Sequence, residues 1–421
     1  MDKLQKRYGL LTAICMVVGI VIGSGVFFKA QTILQKTGGN MPLGILAWII
    51  GGVIMLTCLL AFSVMAQKFE KVNGIVDYAE ACVGSKYAYY VGWFLTIIYY
   101  PCLTSVLSWL SARYTLVFIT SIAPDFPLLG LGAAAGAETV LGPECMSLAM
   151  FYMCCAYAVN ALSPKLAGKL QVSTTIIKLI PLFLMAIVGI VVGIANGTLA
   201  NNFNTLADVG TTSTSPLFAS VCATAFAYEG WIIATSINAE LKDAKKNLPR
   251  ALVIGAIIII ATYIFYYVGV AGGATNQELI DSGATVAFIN VFGNVLGNIL
   301  NLFIAISCIG TMNGLMLGCV RGLYSIAVRG RGPAPHVFSQ IDKETNMPHN
   351  SAIVGLLLCG FWGLYFFLAN LAGTWSGPFV FDSSELPIIT LYAIYIPIYI
   401  ALGIGTLVGL VCILVSIYIL R

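Results

Sequence analysis

Two short segments place glycines and polar groups in the middle of long apolar runs. Residues 17–28 read V-V-G-I-V-I-G-S-G-V-F-F, and residues 223–231 read A-T-A-F-A-Y-E-G-W. Glycine costs roughly 1 kcal/mol relative to alanine inside a helix, so both segments favour a break. The free amides of a broken helix can bind a carboxylate, and its free carbonyls can bind an ammonium group. The two segments therefore suit one small ligand that carries both charges.

The first segment is the predicted carboxylate site. Gly23, Ser24 and Gly25 have no side chain or a small one, so their backbone amides can approach a ligand closely. Close helix packing is the alternative, because Gly19 and Gly23 also form a G-x-x-x-G pattern. The spacing alone leaves both interpretations open.

The second segment is the predicted ammonium site. The acceptors would be the carbonyls of Phe226 and Ala227 together with Glu229. A carboxylate in the middle of a membrane span is costly unless it is satisfied. Glu229 could pair with the ligand ammonium, titrate and couple protons, cap the broken helix or face a water-filled vestibule.

The composition indicates that membrane-spanning helices hold these two segments. Only 9% of the 421 residues are charged and 59% are hydrophobic, and the mean hydropathy is +0.94. Soluble proteins carry about 25% charged residues, so a soluble enzyme and a nucleic-acid-binding protein are excluded. Uncharged runs reach 39 residues at positions 282–320, and about 20 apolar residues cross a bilayer as a helix. We therefore predict an all-α integral membrane protein held in a lipid bilayer.

Ten spans can be read from the runs, and they form one domain over residues 1–421. They lie near residues 9–36, 43–66, 86–120, 146–162, 172–195, 216–237, 250–273, 285–320, 351–369 and 385–404. The peripheral tail, 405–421, is predicted as an eleventh span, and a twelfth is left possible. The two breaks lie five spans apart, in halves of opposite topology (about 8–195 and 216–404), which is typical of inverted-repeat transporters.

Charge distribution predicts the orientation. Sixteen of the 21 Lys and Arg residues lie in alternate connectors, beginning with the N-terminus. Basic loops stay in the cytoplasm, so we predict a cytoplasmic N-terminus in a multi-pass protein of the plasma membrane.

Other chemistry has little support in the sequence. Membrane enzymes need convergent titratable groups, but the spans offer chiefly Lys178, Glu229 and Arg113. His336 and His349 lie in one loop away from acidic clusters, so neither a metal nor another cofactor is expected. The 12 cysteines form no C-x-x-C pair, and Cys145 alone borders a predicted exterior loop. A disulfide-linked heavy-chain partner is therefore not expected.

Three motifs resemble one family of membrane proteins. They are I-G-S-G at 22–25, F-A-Y-E-G-W with the following N-A-E-L-K-D-A-K-K-N-L-P-R-A-L at 238–252, and the loop R-G-L-Y-S-I-A-V-R-G-R-G-P at 321–333. They are similar to the amino acid–polyamine–organocation (APC) superfamily. Within it they resemble the L-type amino acid transporter branch, which includes bacterial serine/threonine and alanine/serine/cysteine exchangers. The chain departs from the family at Asp243-Ala244, where a small polar residue and proline are usual.

The resemblance implies a fold and an activity. The fold is LeuT-type, with five plus five inverted helices and broken first and sixth spans. The activity is sodium-independent exchange of small neutral L-amino acids by alternating access. A sensor that binds amino acids without transport, and a proton-coupled transporter that uses Glu229, remain alternatives.

The resemblance also assigns roles to single residues. Ile22 and Phe226 would line the site, with Phe226 as its cap, although simple helix packing is the alternative for Phe226. Tyr228 and Trp231 are further candidates from the sequence itself, Trp231 either as the floor of the site or as a core residue. Lys178 would occupy the place of a sodium ion in sodium-coupled relatives, although it could instead extend toward the cytoplasmic interface. Tyr263 would reach the unwound first span with its hydroxyl.

Overall fold

The computed structural model is helical throughout the part of the chain that it describes. It describes residues 8–23, 25–68, 74–123, 143–206, 215–233, 241–372 and 386–401, with a few positions between 375 and 384. Within these residues the one extended pairing is an isolated bridge between Tyr8 and Leu241. The predicted all-α class is confirmed.

The helices match the predicted spans in number and position wherever the structure describes them. Among the described residues, eight helices are long and apolar enough to cross a membrane and a bent pair makes a ninth, while a shorter apolar helix, Leu386–Ala401, lies at the position of the tenth predicted span. Their bounds are Leu10–Val21 with Gly25–Lys36 (span 1), Met41–Lys68 (span 2), Ser85–Ile122 (span 3), Pro143–Leu162 (span 4), Pro164–Ala195 (span 5), Pro216–Ala227 (first part of span 6), Ala244–Gly273 (span 7), Ala284–Ala327 (span 8), His349–Leu371 (span 9) and Leu386–Ala401 (span 10). The predicted eleventh span, 405–421, lies outside the described residues.

Span 1 is broken at the predicted place. Its first helix, span 1a (Leu10–Val21), and its second, span 1b (Gly25–Lys36), meet at an angle of 46°. Ser24 lies outside the described residues. The break leaves the first amides of span 1b without acceptors in their own helix.

Span 6 is broken as well. Its first helix, span 6a (Pro216–Ala227), ends at Ala227, and a short 3-10 turn follows at residues 231–233. Between them Gly230 has φ 106°, a conformation that side chains with a Cβ rarely adopt. The glycine therefore permits the break in span 6 beside Ile20 of span 1a.

Glycines also let spans 5 and 7 touch through their backbones. A Cβ on Gly189 would lie 2.3 Å from the Gly269 carbonyl oxygen, and a Cβ on Gly193 would lie 2.3 Å from Gly272 Cα. Helices in lipid gain little from hydrophobic burial, so such contacts between small residues supply the packing. The opposite face of span 5 exposes large apolar side chains suited to lipid: Ile187, Val191 and Ile194.

We expect Gly269→Ala to destabilise the protein, because its new Cβ would lie 2.1 Å from the Met185 carbonyl oxygen. Overpacking of this kind typically costs about 1–3 kcal/mol. Thermal unfolding of the purified protein measures the loss. Gly360→Ala on span 9 is the matched control, since a Cβ there meets nothing within 4 Å. Equal melting temperatures for the two variants would contradict the packing argument.

Candidate binding site between the two broken spans

The two breaks face each other across one cavity. The cavity is lined from five spans, with Gly23 and Gly25 from span 1, Phe226 and Glu229 at the span 6 break, Tyr99 from span 3, Thr311 from span 8 and Ile388 from span 10. Four of the residues predicted for the binding site are thus brought together.

Gly25 allows the two breaks to meet closely. A Cβ at this position would lie 2.9 Å from Ala227 Cα and 3.2 Å from Phe226 Cδ1. Close packing between the two breaks is therefore one role of this glycine. Gly25 also begins span 1b, so it presents the positive end of that helix to the cavity. One residue serves both the contact and the electrostatics.

Lys178 lies behind the break in span 1. Its Nζ donates hydrogen bonds to the carbonyl oxygens of Gly19 and Ile22, both at 2.6 Å. It also donates to Ser307 O at 3.1 Å and to Thr311 Oγ1 at 3.4 Å on span 8. The side chain is completely buried and does not extend to an interface. A single cation therefore joins spans 1, 5 and 8.

Tyr263 connects the two breaks from span 7. Its hydroxyl lies 3.1 Å from the Val21 carbonyl oxygen and 2.9 Å from the Ala227 carbonyl oxygen. Val21 ends span 1a and Ala227 ends span 6a. Two of the carbonyls exposed by the breaks are thus already bonded within the protein, which leaves fewer acceptors for a ligand.

Glu229 places a carboxylate at the cavity wall with only 5% of its surface exposed. Its Oε1 accepts a hydrogen bond from the Tyr99 hydroxyl at 3.2 Å. The Gly230 amide and the Tyr392 hydroxyl of span 10 also interact with this carboxylate, and its Oε2 is buried. The glutamate is therefore held at the cavity wall from spans 3 and 10.

Tyr228 and Trp231 lie beside the cavity and do not line it. The Tyr228 hydroxyl donates to the Trp48 carbonyl oxygen at 2.9 Å, which fixes span 6 against span 2. Trp231 is fully buried and packs on Phe62 and Tyr395. Ile22 is also buried, and it contributes its carbonyl to Lys178. A direct role of these three side chains in binding stays a prediction.

Three polar groups near the site were not predicted from the sequence: Tyr99, Ser307 and Thr311. The last two stand one helical turn apart in S-C-I-G-T at 307–311, so they share a face of span 8. Two hydroxyls on one face of an apolar span indicate a polar site, so the sequence contains a signal for these two residues. Tyr99 carries no comparable signal, because it is one of 20 tyrosines.

Solved structures with this arrangement define the class of fold. The chain is similar to MhsT in complex with L-phenylalanine, with a TM-score of 0.62 and 13% identity, covering 100% of this chain and 97% of that one. It is also similar to Mhp1, a nucleobase-cation-symport-1 family transporter, with a TM-score of 0.57 and 16% identity, covering 94% and 79%. The fold is the LeuT-type fold of membrane transporters, with broken first and sixth spans.

Sequence comparisons place the chain within that class. A model of the amino acid permease family matches residues 8–418, and the chain belongs to this family of the APC superfamily. It is 29% identical to the serine/threonine exchanger SteT of Bacillus subtilis (strain 168) over 350 residues, covering 82% of this chain and 74% of the relative. It is 28% identical to the Asc-type amino acid transporter 1 of Mus musculus over 361 residues, covering 85% of this chain and 63% of that relative.

We expect Lys178→Ala to abolish transport while amino acid binding partly survives. The variant removes the closest donor of the Gly19 and Ile22 carbonyls, which keep only longer bonds of 3.3 Å from Thr311 and Ser307, at a cost of about 1–3 kcal/mol. This shifts a two-state equilibrium by about fivefold to more than a hundredfold. Uptake into proteoliposomes and ligand-induced thermal stabilisation measure the two effects. Lys169→Ala, at the exposed end of the same span, is the control. Normal transport rates in Lys178→Ala would refute the role.

Proposed function

We propose that this protein exchanges small neutral L-amino acids across the plasma membrane by alternating access and without sodium. The observation that carries the proposal is the position of the Lys178 ammonium among the carbonyls of span 1 and the oxygens of span 8. A cation-binding site of this kind could hold a coupling ion, but here the lysine already supplies the positive charge. Transport would then need no sodium gradient.

The substrate would be held between the two breaks. Its carboxylate would bind the first amides of span 1b, beginning at Gly25, where the helix dipole favours a negative group. Its ammonium would lie at the break in span 6, near the Phe226 carbonyl and the carboxylate of Glu229. Neutrality of the substrate side chain is supported by the aliphatic wall that span 3 presents, formed by Leu103, Val106 and Leu107.

The gating roles follow the same geometry. Phe226 lies at the end of span 6a, just before the break. Span 6a starts on the side of the membrane opposite the N-terminus, so Phe226 would cap the substrate from that side. Trp231 lies beyond the break and would form the floor. Tyr263 lies within hydrogen-bond distance of both broken spans, so it would couple their movements. Lys178 would set the balance between the two end states.

Orientation and partners complete the proposal. The concentration of Lys and Arg in alternate connectors supports a cytoplasmic N-terminus, with the Phe226 side open to the exterior. The protein would act without a heavy-chain partner. Cys145, the cysteine that borders a predicted exterior loop, supports this because its side chain is completely buried near the Trp109 carbonyl.

Proton coupling through Glu229 is the second candidate. The observation in its favour is a buried carboxylate at the wall of the cavity. An inward proton gradient alone would then drive net uptake into empty vesicles, whereas an exchanger needs an amino acid on the opposite side.

We expect counterflow when proteoliposomes loaded with unlabelled L-serine are given labelled L-serine outside. Uptake should exceed that of empty vesicles several-fold, and replacement of sodium by choline should leave it unchanged. Absence of counterflow with retained serine binding would favour a sensor over a transporter. A large loss in choline would refute sodium independence and the proposed role of the Lys178 charge.

We expect Gly25→Ala to reduce transport strongly, because the added methyl would be 2.9 Å from Ala227 Cα and force the two breaks apart. Gly9→Ala is the matched control in the same span, since a Cβ there meets nothing within 4 Å. Initial rates of exchange and the melting temperature separate a binding defect from misfolding. Exchange at normal apparent affinity in a stable Gly25→Ala protein would show that the close approach is dispensable.

A further inference from the structure

A cation stands over the ring of the proposed cap. Lys29 Nζ lies 5.2 Å from the centroid of the Phe226 ring. An ammonium within about 6 Å of an aromatic face is attracted by the ring quadrupole. Phe226 is among the residues that line the cavity, and Lys29 is not. Any effect of Lys29 on a ligand is therefore expected to pass through Phe226.

The helix geometry explains why Lys29 reaches this ring. Lys29 follows Gly25 by four residues, so the two lie on the same face of span 1b. Gly25 is the point of closest approach between span 1b and the end of span 6a. One turn further on, the space between the helices is wide enough for a long side chain and the ring.

A second contact holds span 1b in place. Gln31 and Gln35 are also one turn apart, and their Nε2 atoms donate to the Ile280 carbonyl oxygen at 2.8 and 3.1 Å. Ile280 belongs to the short helix Asn276–Ser282 between spans 7 and 8. Span 1b is thus fixed to this helix as well as to span 6a. These contacts fix the backbone of span 1b, and therefore the position from which the Lys29 side chain extends.

We propose that Lys29 is a positioning residue that holds the Phe226 ring across the cavity through a cation–π interaction. The inference rests on the proposed function, in which Phe226 caps the amino acid. The interaction favours the capped arrangement, so its loss should weaken retention of the substrate from the Phe226 side. The translocation step itself does not involve the ring face, so the maximal rate should change less.

The first experiment compares three variants in serine exchange. Lys29→Met keeps an unbranched stem and removes the charge, and we expect the apparent KM to rise about twofold to fivefold with a smaller change in the maximal rate. Lys29→Arg should restore the KM, because a guanidinium also binds a ring face. Lys36→Met, two turns along span 1b, is the control and should leave the KM unchanged.

The second experiment varies the ring. Replacement of Phe226 by 4-fluoro-, 3,5-difluoro- and 3,4,5-trifluorophenylalanine weakens the negative ring face in steps with little change in size. With Lys29 present, the KM should rise with each added fluorine. With Lys29→Met, the series should be flat, because the cation that senses the ring is gone. A merely structural lysine would give parallel series.

A readout independent of transport separates this inference from the proposed function. The fluorine-19 resonance of 4-fluorophenylalanine at position 226 reports the surroundings of the ring. A shift with Lys29→Met and its recovery with Lys29→Arg would support positioning even if the protein showed no exchange, in which case the proposed function alone would fail. An unchanged resonance, or parallel fluorination series, would overturn the role of Lys29.

Discussion

The ammonium of Lys178 is the interaction on which the broken span 1 depends. A helix interrupted inside a membrane exposes carbonyls to a medium that cannot bond them. Lys178 donates to two of those carbonyls, at Gly19 and Ile22, and to the facing Ser307 carbonyl. Because the lysine belongs to span 5, the break is stable only while spans 1, 5 and 8 remain together. The same lysine consequently stabilises both the break that forms the binding site and the packing of spans 1, 5 and 8.

The order of the spans and the positions of both breaks were predictable because their signals are local. Uncharged runs of at least 20 residues report a crossing, and clustered glycines with a buried glutamate report an interruption. Lys178 and Tyr263 could be named only through the resemblance to a family. Their bonds join residues far apart in sequence, such as Tyr263 and Val21, and no periodicity encodes that contact.

The directions of side chains at the second break were harder to predict for the same reason. Tyr228 and Trp231 flank Glu229 in the sequence, yet their rings pack on spans 2 and 10 while the carboxylate reaches the cavity. The backbone conformation at Gly230, where φ is 106°, decides which neighbours point inward. Tyr99 was missed because an aromatic residue in an apolar span looks the same whether its hydroxyl faces a carboxylate or a lipid. Only the packed bundle distinguishes these cases.

The hydroxyl of Tyr263 lies within bonding distance of two carbonyls but carries a single proton. At any instant one of the two acceptors holds the stronger bond, and transfer of that bond to the other needs only a rotation about the C–O bond of the ring. The hydroxyl can then keep a hydrogen bond when span 1a is displaced slightly relative to span 6a. Phenylalanine at this position would keep the ring and its packing but remove the hydrogen bond that can pass between the two carbonyls. The tyrosine oxygen thus acts as a flexible coupling between two rigid half-helices.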